Sequence, residues 1–156
     1  MGPQIDELLL ESSLTLSVAE SCTGGALSAR ITSVPGSSKY FKGGVISYSV
    51  DSKIRDLDVK KEDVEKFSDV SKKVAEQMSI GVRARFKTDL SIGITGYAGP
   101  DGIDVGKVFI SFSSRKGTVV NQFKFLGNRE DIISQIIEAC LLTLSSEIKL
   151  LICNGK

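Results

Sequence analysis

Residues 17–31, SVAESCTGGALSARI, decide how this chain must fold. Leu14, Leu16 and Val18 alternate with polar residues, the period-two signature of a strand, while Ala26, Leu27 and Ile31 return at helical spacing. Between them lies a small polar turn, Ser21-Cys22-Thr23-Gly24-Gly25. The stretch reads as strand, turn, helix, and a strand that hands over to a helix predicts a sheet assembled through crossovers.

Outward from this unit the pattern repeats. Upstream, Ile5, Leu8 and Leu9 predict a short helix. Downstream, a loop on Pro35-Gly36-Ser37-Ser38 leads into a second strand, GGVISYS (43–49), and VDSKIRDL (50–57) opens another helical segment. Val70, Val74, Met78, Val82 and Phe86 recur every four residues, the stripe of an amphipathic helix. A third strand, 90–94, ends in the Gly-rich loop TGYAGPDG (95–102). VGKVFISFSS (105–114) and GTVVNQFKFLG (117–127), joined through Arg115-Lys116-Gly117, predict a hairpin. Ile132, Ile136, Cys140, Leu144 and Ile148 mark a long final helix, with Asn128 as N-cap and Glu130 and Asp131 in its first turn.

Helical connections return the chain to the same end of a sheet, so the first three strands should run parallel. Polar residues at their carboxyl ends then share one rim: Ser21-Cys22-Thr23, Tyr48-Ser49 with Lys53 soon after, and Thr95-Gly96. In open α/β sheets that rim is where ligands bind.

Composition narrows the class. At 156 residues and 41% hydrophobic, the chain fits one α/β domain spanning 1–156, without internal repeat or linker. Lys plus Arg number 20 against 19 Asp plus Glu, a net charge of +1 that lacks the basic excess of a phosphate-backbone binder. Trp is absent and Tyr scarce, so stacking platforms for single strands are missing and no nucleic-acid partner is expected. Cys22, Cys140 and Cys153 form no CxxC pair and there is no histidine, which argues against a zinc site and for a reducing compartment. Asp101 and Asp104 could be metal ligands, but two carboxylates with no further cluster are weak evidence, and no metal is expected. Acidic residues near the N-terminus and the lack of any apolar run near ~20 residues predict a cytoplasmic protein with no membrane contact.

Two readings of the opening turn stay open. Gly24 and Gly25 let the backbone approach a ligand, and the first N–H groups of the following helix, lacking internal partners, can hold a phosphate, a carboxylate or an oxyanion. A plain strand-to-helix turn with Ser or Thr as N-cap would look the same. Neither GxGxxG nor GxxxxGK[ST] is present. Without histidine, a serine nucleophile needs another base, and the usual substitute is a lysine held neutral by desolvation or by neighbouring positive charge. Lys53 stands nearest the rim; the alternative is an ordinary exposed helix lysine. Cys22 is the rival nucleophile, against the reading of a small buried residue. Arg129 could anchor an anion or be merely solvated.

AESCTGG (19–25), PGSSKYFKGGVISYS (35–49), KIRDLDV (53–59), ITGYAGPDG (94–102) and FLGNREDI (125–132) together resemble the C-terminal domain of the CinA (competence/damage-inducible) family. The resemblance runs from Leu14 to the last helix, with the blocks in the family's order. The family's best-characterised activity is nicotinamide mononucleotide amidohydrolase. The resemblance implies a three-layer α/β/α sandwich around a mixed, largely parallel sheet. It also implies a Ser/Lys hydrolase that uses no metal or organic cofactor, acts on a small-molecule nucleotide and forms a homo-oligomer. By position, Ser21 matches the nucleophile and Lys53 the general base, Tyr48 and Thr95 match residues assisting the pair, and Arg129 matches a phosphate-binding arginine. Cys22, Thr23, Gly24, Gly25 and Gly96 would contact substrate. The chain departs from the family at Val50, where Asn is common, in the short loop of IDVGKVF (103–109), and at Lys107, where Thr is common. Those departures motivate an alternative, a noncatalytic nucleotide-binding or regulatory domain of the same fold.

Overall fold

A computed structural model describes residues 2–154. In chain order they form α1 (Gly2–Ser12), β1 (Leu16–Glu20), α2 (Ala26–Thr32), a 3-10 turn (Ser37–Lys39), β2 (Phe41–Ile46), α3 (Val50–Leu57), α4 (Lys61–Phe67), α5 (Lys72–Phe86), β3 (Leu90–Gly96), β4 (Lys107–Ser114), β5 (Gly117–Lys124) and α6 (Arg129–Asn154). The sheet order is β2-β1-β3-β4-β5. β1 pairs parallel with β2 and β3, and the β4–β5 hairpin adds antiparallel to β3. The sheet is mixed, with the parallel core that the crossovers predict.

Two helical layers cover it. α1, α2 and α6 pack on one face and α3, α4 and α5 on the other. The alternation in β1 suggests one wet face, yet all five of its residues are buried. Leu16 and Val18 enter the core shared with α2 and α6. Ser17 and Ala19 face α5, where Ser17 Oγ donates to the Val82 carbonyl and Ala19 packs among Val74, Met78 and Val82. Small residues on that face let the helix lie close: a Cβ on Gly93 would stand 2.7 Å from Ser79 N and 2.8 Å from Ala75 O. The polar half of the strand pattern therefore marks a tight helix contact rather than solvent.

Two elements differ from expectation for related reasons. α4, KEDVEKF, buries no residue, so it has no apolar stripe to announce it. Val70 lies ahead of α5, whose N-cap is Ser71, and packs instead with Phe109 of β4. At the other end of the chain, α6 is capped reciprocally as Asn128 predicts: Asn128 Oδ1 accepts from Asp131 N (2.9 Å) and Asp131 Oδ2 from Asn128 N (3.1 Å).

What positions the site is the reversal of strand order at β1. The connection to β2 passes over one face of the sheet and the return to β3 over the other, which opens a crevice outside the carboxyl ends of β1 and β3. Among the described residues, no helix is long and apolar enough to cross a membrane.

Candidate active site

A cleft of about 560 Å³ lies at that crevice. Ser21 and Cys22 line it from the end of β1, Tyr48 from the segment after β2, Asp69 and Val70 from the α4–α5 connection, Gly96 from the last position of β3, Tyr97 to Asp101 from the loop that follows, and Arg129 from the start of α6.

Lys53 stands behind Ser21. It belongs to the first turn of α3, which is fixed by a capping box: Ser49 Oγ accepts from Ser52 N (3.1 Å), and Ser49 N donates to Ser52 Oγ (3.1 Å). α3 is pressed onto α5 at Gly81, where a Cβ would fall 2.0 Å from the Leu57 carbonyl oxygen. The result is a lysine only 1% exposed, with Nζ 2.9 Å from Ser21 Oγ. Burial lowers the Lys53 pKa below its ordinary 10.5, while the charge of Asp69 acts in the opposite direction. The exposed-lysine reading does not survive this geometry. A neutral amine at that distance can accept the serine proton.

Cys22 is 6% exposed, and burial pushes its thiol up to about 12. At neutral pH it is a protonated small side chain, not a thiolate.

The turn itself holds an unexpected occupant. Glu20, fully buried at the end of β1, places its carboxylate over the first turn of α2. Oε1 accepts from Thr23 Oγ1 (2.7 Å) and Leu27 N (2.9 Å), and Oε2 accepts from Ser28 N (3.0 Å) and Ser28 Oγ (2.7 Å). The expectation that the N–H groups of this helix are free for a ligand is therefore corrected: the protein's own carboxylate takes them. Thr23, Gly24 and Gly25, expected to contact substrate, are engaged within the turn itself. None of the three lines the cleft, the Thr23 hydroxyl is spent on Glu20, and Gly24 N donates to the Ser21 carbonyl (3.0 Å). Gly25 serves the turn, with φ +102° at the N-cap and no room for a side chain beside Ile46. The N–H groups of Cys22 and Thr23 donate to no backbone carbonyl among the described residues.

The remaining expected residues divide. Tyr48 and Arg129 meet each other: Arg129 Nη2 donates to Tyr48 Oη (2.9 Å) and Nη1 to the Gly99 carbonyl (2.5 Å), so an exposed arginine is tied to the cleft mouth. Thr95, fully buried, donates to the Asp69 carbonyl (2.8 Å) instead of to Ser21 or Lys53. Gly96 lines the cleft, but its lack of a side chain is demanded by β4, since a Cβ would stand 2.7 Å from Val108 Cγ2. Asp104 pairs with Lys124 and Lys107 lies over the Phe109 ring, both away from the cleft. Sequence reasoning missed Glu20 and Asp69. The first reads as an outward strand position, and the second sits in a loop that no spacing ties to the rim.

Comparison with known proteins agrees with this architecture. The family model of the CinA C-terminal domain matches residues 1–148. A CinA-like protein of Flavobacterium psychrophilum is 43% identical over 148 residues, covering 92% of this chain and 35% of that protein. A CinA-like protein of Nostoc punctiforme is 50% identical over 121 residues, 75% of this chain and 29% of its own length. The chain thus spans about a third of the curated relatives it matches. Among solved structures, competence damage-inducible protein A of Klebsiella pneumoniae superposes with a TM-score of 0.92 at 29% identity, over 95% of this chain and 94% of that one. The competence or damage-inducible protein of Enterobacter asburiae gives 0.91 at 30% identity, over 94% and 95%. On a family match that takes in both Ser21 and Lys53, and on relatives above 40% identity, the chain belongs to the CinA C-terminal domain family.

Proposed function

We propose that this chain is an amidohydrolase that converts nicotinamide mononucleotide to nicotinate mononucleotide and ammonia through Ser21 and Lys53. The observation that carries the reading is the 2.9 Å approach of a fully buried lysine amine to a serine hydroxyl on a cleft wall. In this reading Lys53, neutral, takes the Ser21 proton as Oγ bonds to the carboxamide carbon, and the tetrahedral oxyanion meets the N–H groups of Cys22 and Thr23. The C–N bond then breaks, the Lys53 ammonium gives its proton to the departing nitrogen, and ammonia leaves an acyl ester on Ser21. Water attacks the ester with Lys53 again accepting a proton, and the carboxylate product leaves as Ser21 is reprotonated. Arg129, at the mouth, faces the phosphate.

The experiment is ammonia release from nicotinamide mononucleotide by the wild type, Ser21→Ala and Cys22→Ala proteins. Turnover is expected in the wild type and in Cys22→Ala, with a fall of at least about a thousandfold in Ser21→Ala. Nucleotide binding with no turnover in any of the three would replace this reading with the noncatalytic one.

A further inference from the structure

The walls of the cleft carry one cation, Arg129, and two carboxylates, Asp69 and Asp101. Asp101 is exposed at the rim, whereas Asp69 is half-buried. Asp69 is also held firmly. Its carbonyl accepts from Thr95 Oγ1 at the end of β3, and Ser68 before it takes φ +81° and ψ 158°, a backbone conformation that favours glycine. Among the described residues, no lysine or arginine lies within ion-pair distance of its carboxylate, whose nearest donor is Ser68 Oγ at 3.3 Å. The fold thus keeps an unneutralised carboxylate in the wall that also presents Ser21, near enough for its charge to be felt at Lys53.

A neutral amide gains nothing from such a group and desolvates it at a cost. A carboxamide carried on a cationic ring is different, because the ring charge sits a few bonds from the scissile carbon and so enters the same cleft that Asp69 and Ser21 both line. We infer that Asp69 is a specificity-determining residue that selects a positively charged, pyridinium-type ring over its neutral counterpart. Arg129 and Asp69 then read opposite ends of one zwitterionic ligand, phosphate at the mouth and ring cation near the serine. This rests on the reading of the site as a pyridine-nucleotide amidohydrolase.

The test is calorimetric titration of the Ser21→Ala protein, which holds ligand without turnover, with nicotinamide mononucleotide and with its reduced dihydropyridine form. The two share the phosphate and the carboxamide and differ in ring charge. The oxidised form is expected to bind more tightly. Adding Asp69→Asn is expected to weaken its binding about tenfold while changing that of the reduced form less than about twofold, and Asp69→Glu to keep the preference. If the oxidised form binds and its preference persists in Asp69→Asn, or if both forms weaken equally, the assignment to Asp69 is overturned and the amidohydrolase reading stands. If neither form binds the Ser21→Ala protein, the pyridine-nucleotide reading fails and takes this inference with it.

Discussion

Two sets of buried hydroxyls lie against this one sheet, one under α5 and one at its rim, and their partners set them apart. Beneath α5, Ser79 Oγ and Ser111 Oγ lie 2.6 Å apart, Ser91 Oγ donates to the Ser79 carbonyl (2.6 Å), and Ser17 Oγ meets Thr88 Oγ1 (2.7 Å). At the rim, Ser21 meets Lys53 Nζ. Hydroxyls and carbonyls satisfy a buried serine without changing its acidity, so the first set does no more than seat a helix closely on the sheet. A buried amine disfavours its own ammonium form, so the second set holds a base against a hydroxyl that borders a cleft. Burial of a serine says nothing of its chemistry; the group beside it does.

Breaking the rim should cost most. Glu20→Gln keeps the shape but turns two amide hydrogens toward donors that the carboxylate now satisfies. A loss of about 2–3 kcal/mol is expected, a melting temperature lower by about 5–10 °C, and turnover down about 10–100-fold as the Cys22 and Thr23 N–H groups lose their placement. Thermal melts and ammonia release read both, and an unchanged melting temperature would show that Glu20 does not hold the turn. A smaller effect is expected in the interior. Ser111→Ala deprives Ser79 of one partner at about 1 kcal/mol, lowering the melting temperature by about 2–4 °C with turnover within about twofold of wild type. A parallel fall in turnover would mean that the serines under α5 are coupled to the site and that the contrast is false.

Much of this was legible in residues 17–31 and their echoes, because period-two and period-3.6 patterns record which side of an element is covered. β1, α2, α3 and the long α6 follow them closely. α4 escaped because a helix whose one packed apolar residue is the half-buried Val64 leaves no pattern, and Val70 mimicked the stripe of α5 because four-residue spacing does not tell a helical position from a loop residue that packs on Phe109 of β4. The placement of Ser21 and Lys53 at one rim followed from chain order. Their 2.9 Å contact did not, since it depends on Gly81 admitting α3 against α5. Glu20 was hidden for a similar reason: nothing in a strand's alternation tells a solvated carboxylate from one that caps the next helix.

The central claim is that Lys53, neutral, takes the Ser21 proton, and the pH dependence of ammonia release from nicotinamide mononucleotide tests it most directly in wild type beside Lys53→Ala. The base works only when deprotonated, so wild-type kcat/KM should rise with pH along an acid limb whose inflection lies below lysine's ordinary 10.5. In Lys53→Ala that limb should vanish and the rate fall at least about a thousandfold at every pH. A Lys53→Ala protein that keeps both the limb and the rate would contradict the account.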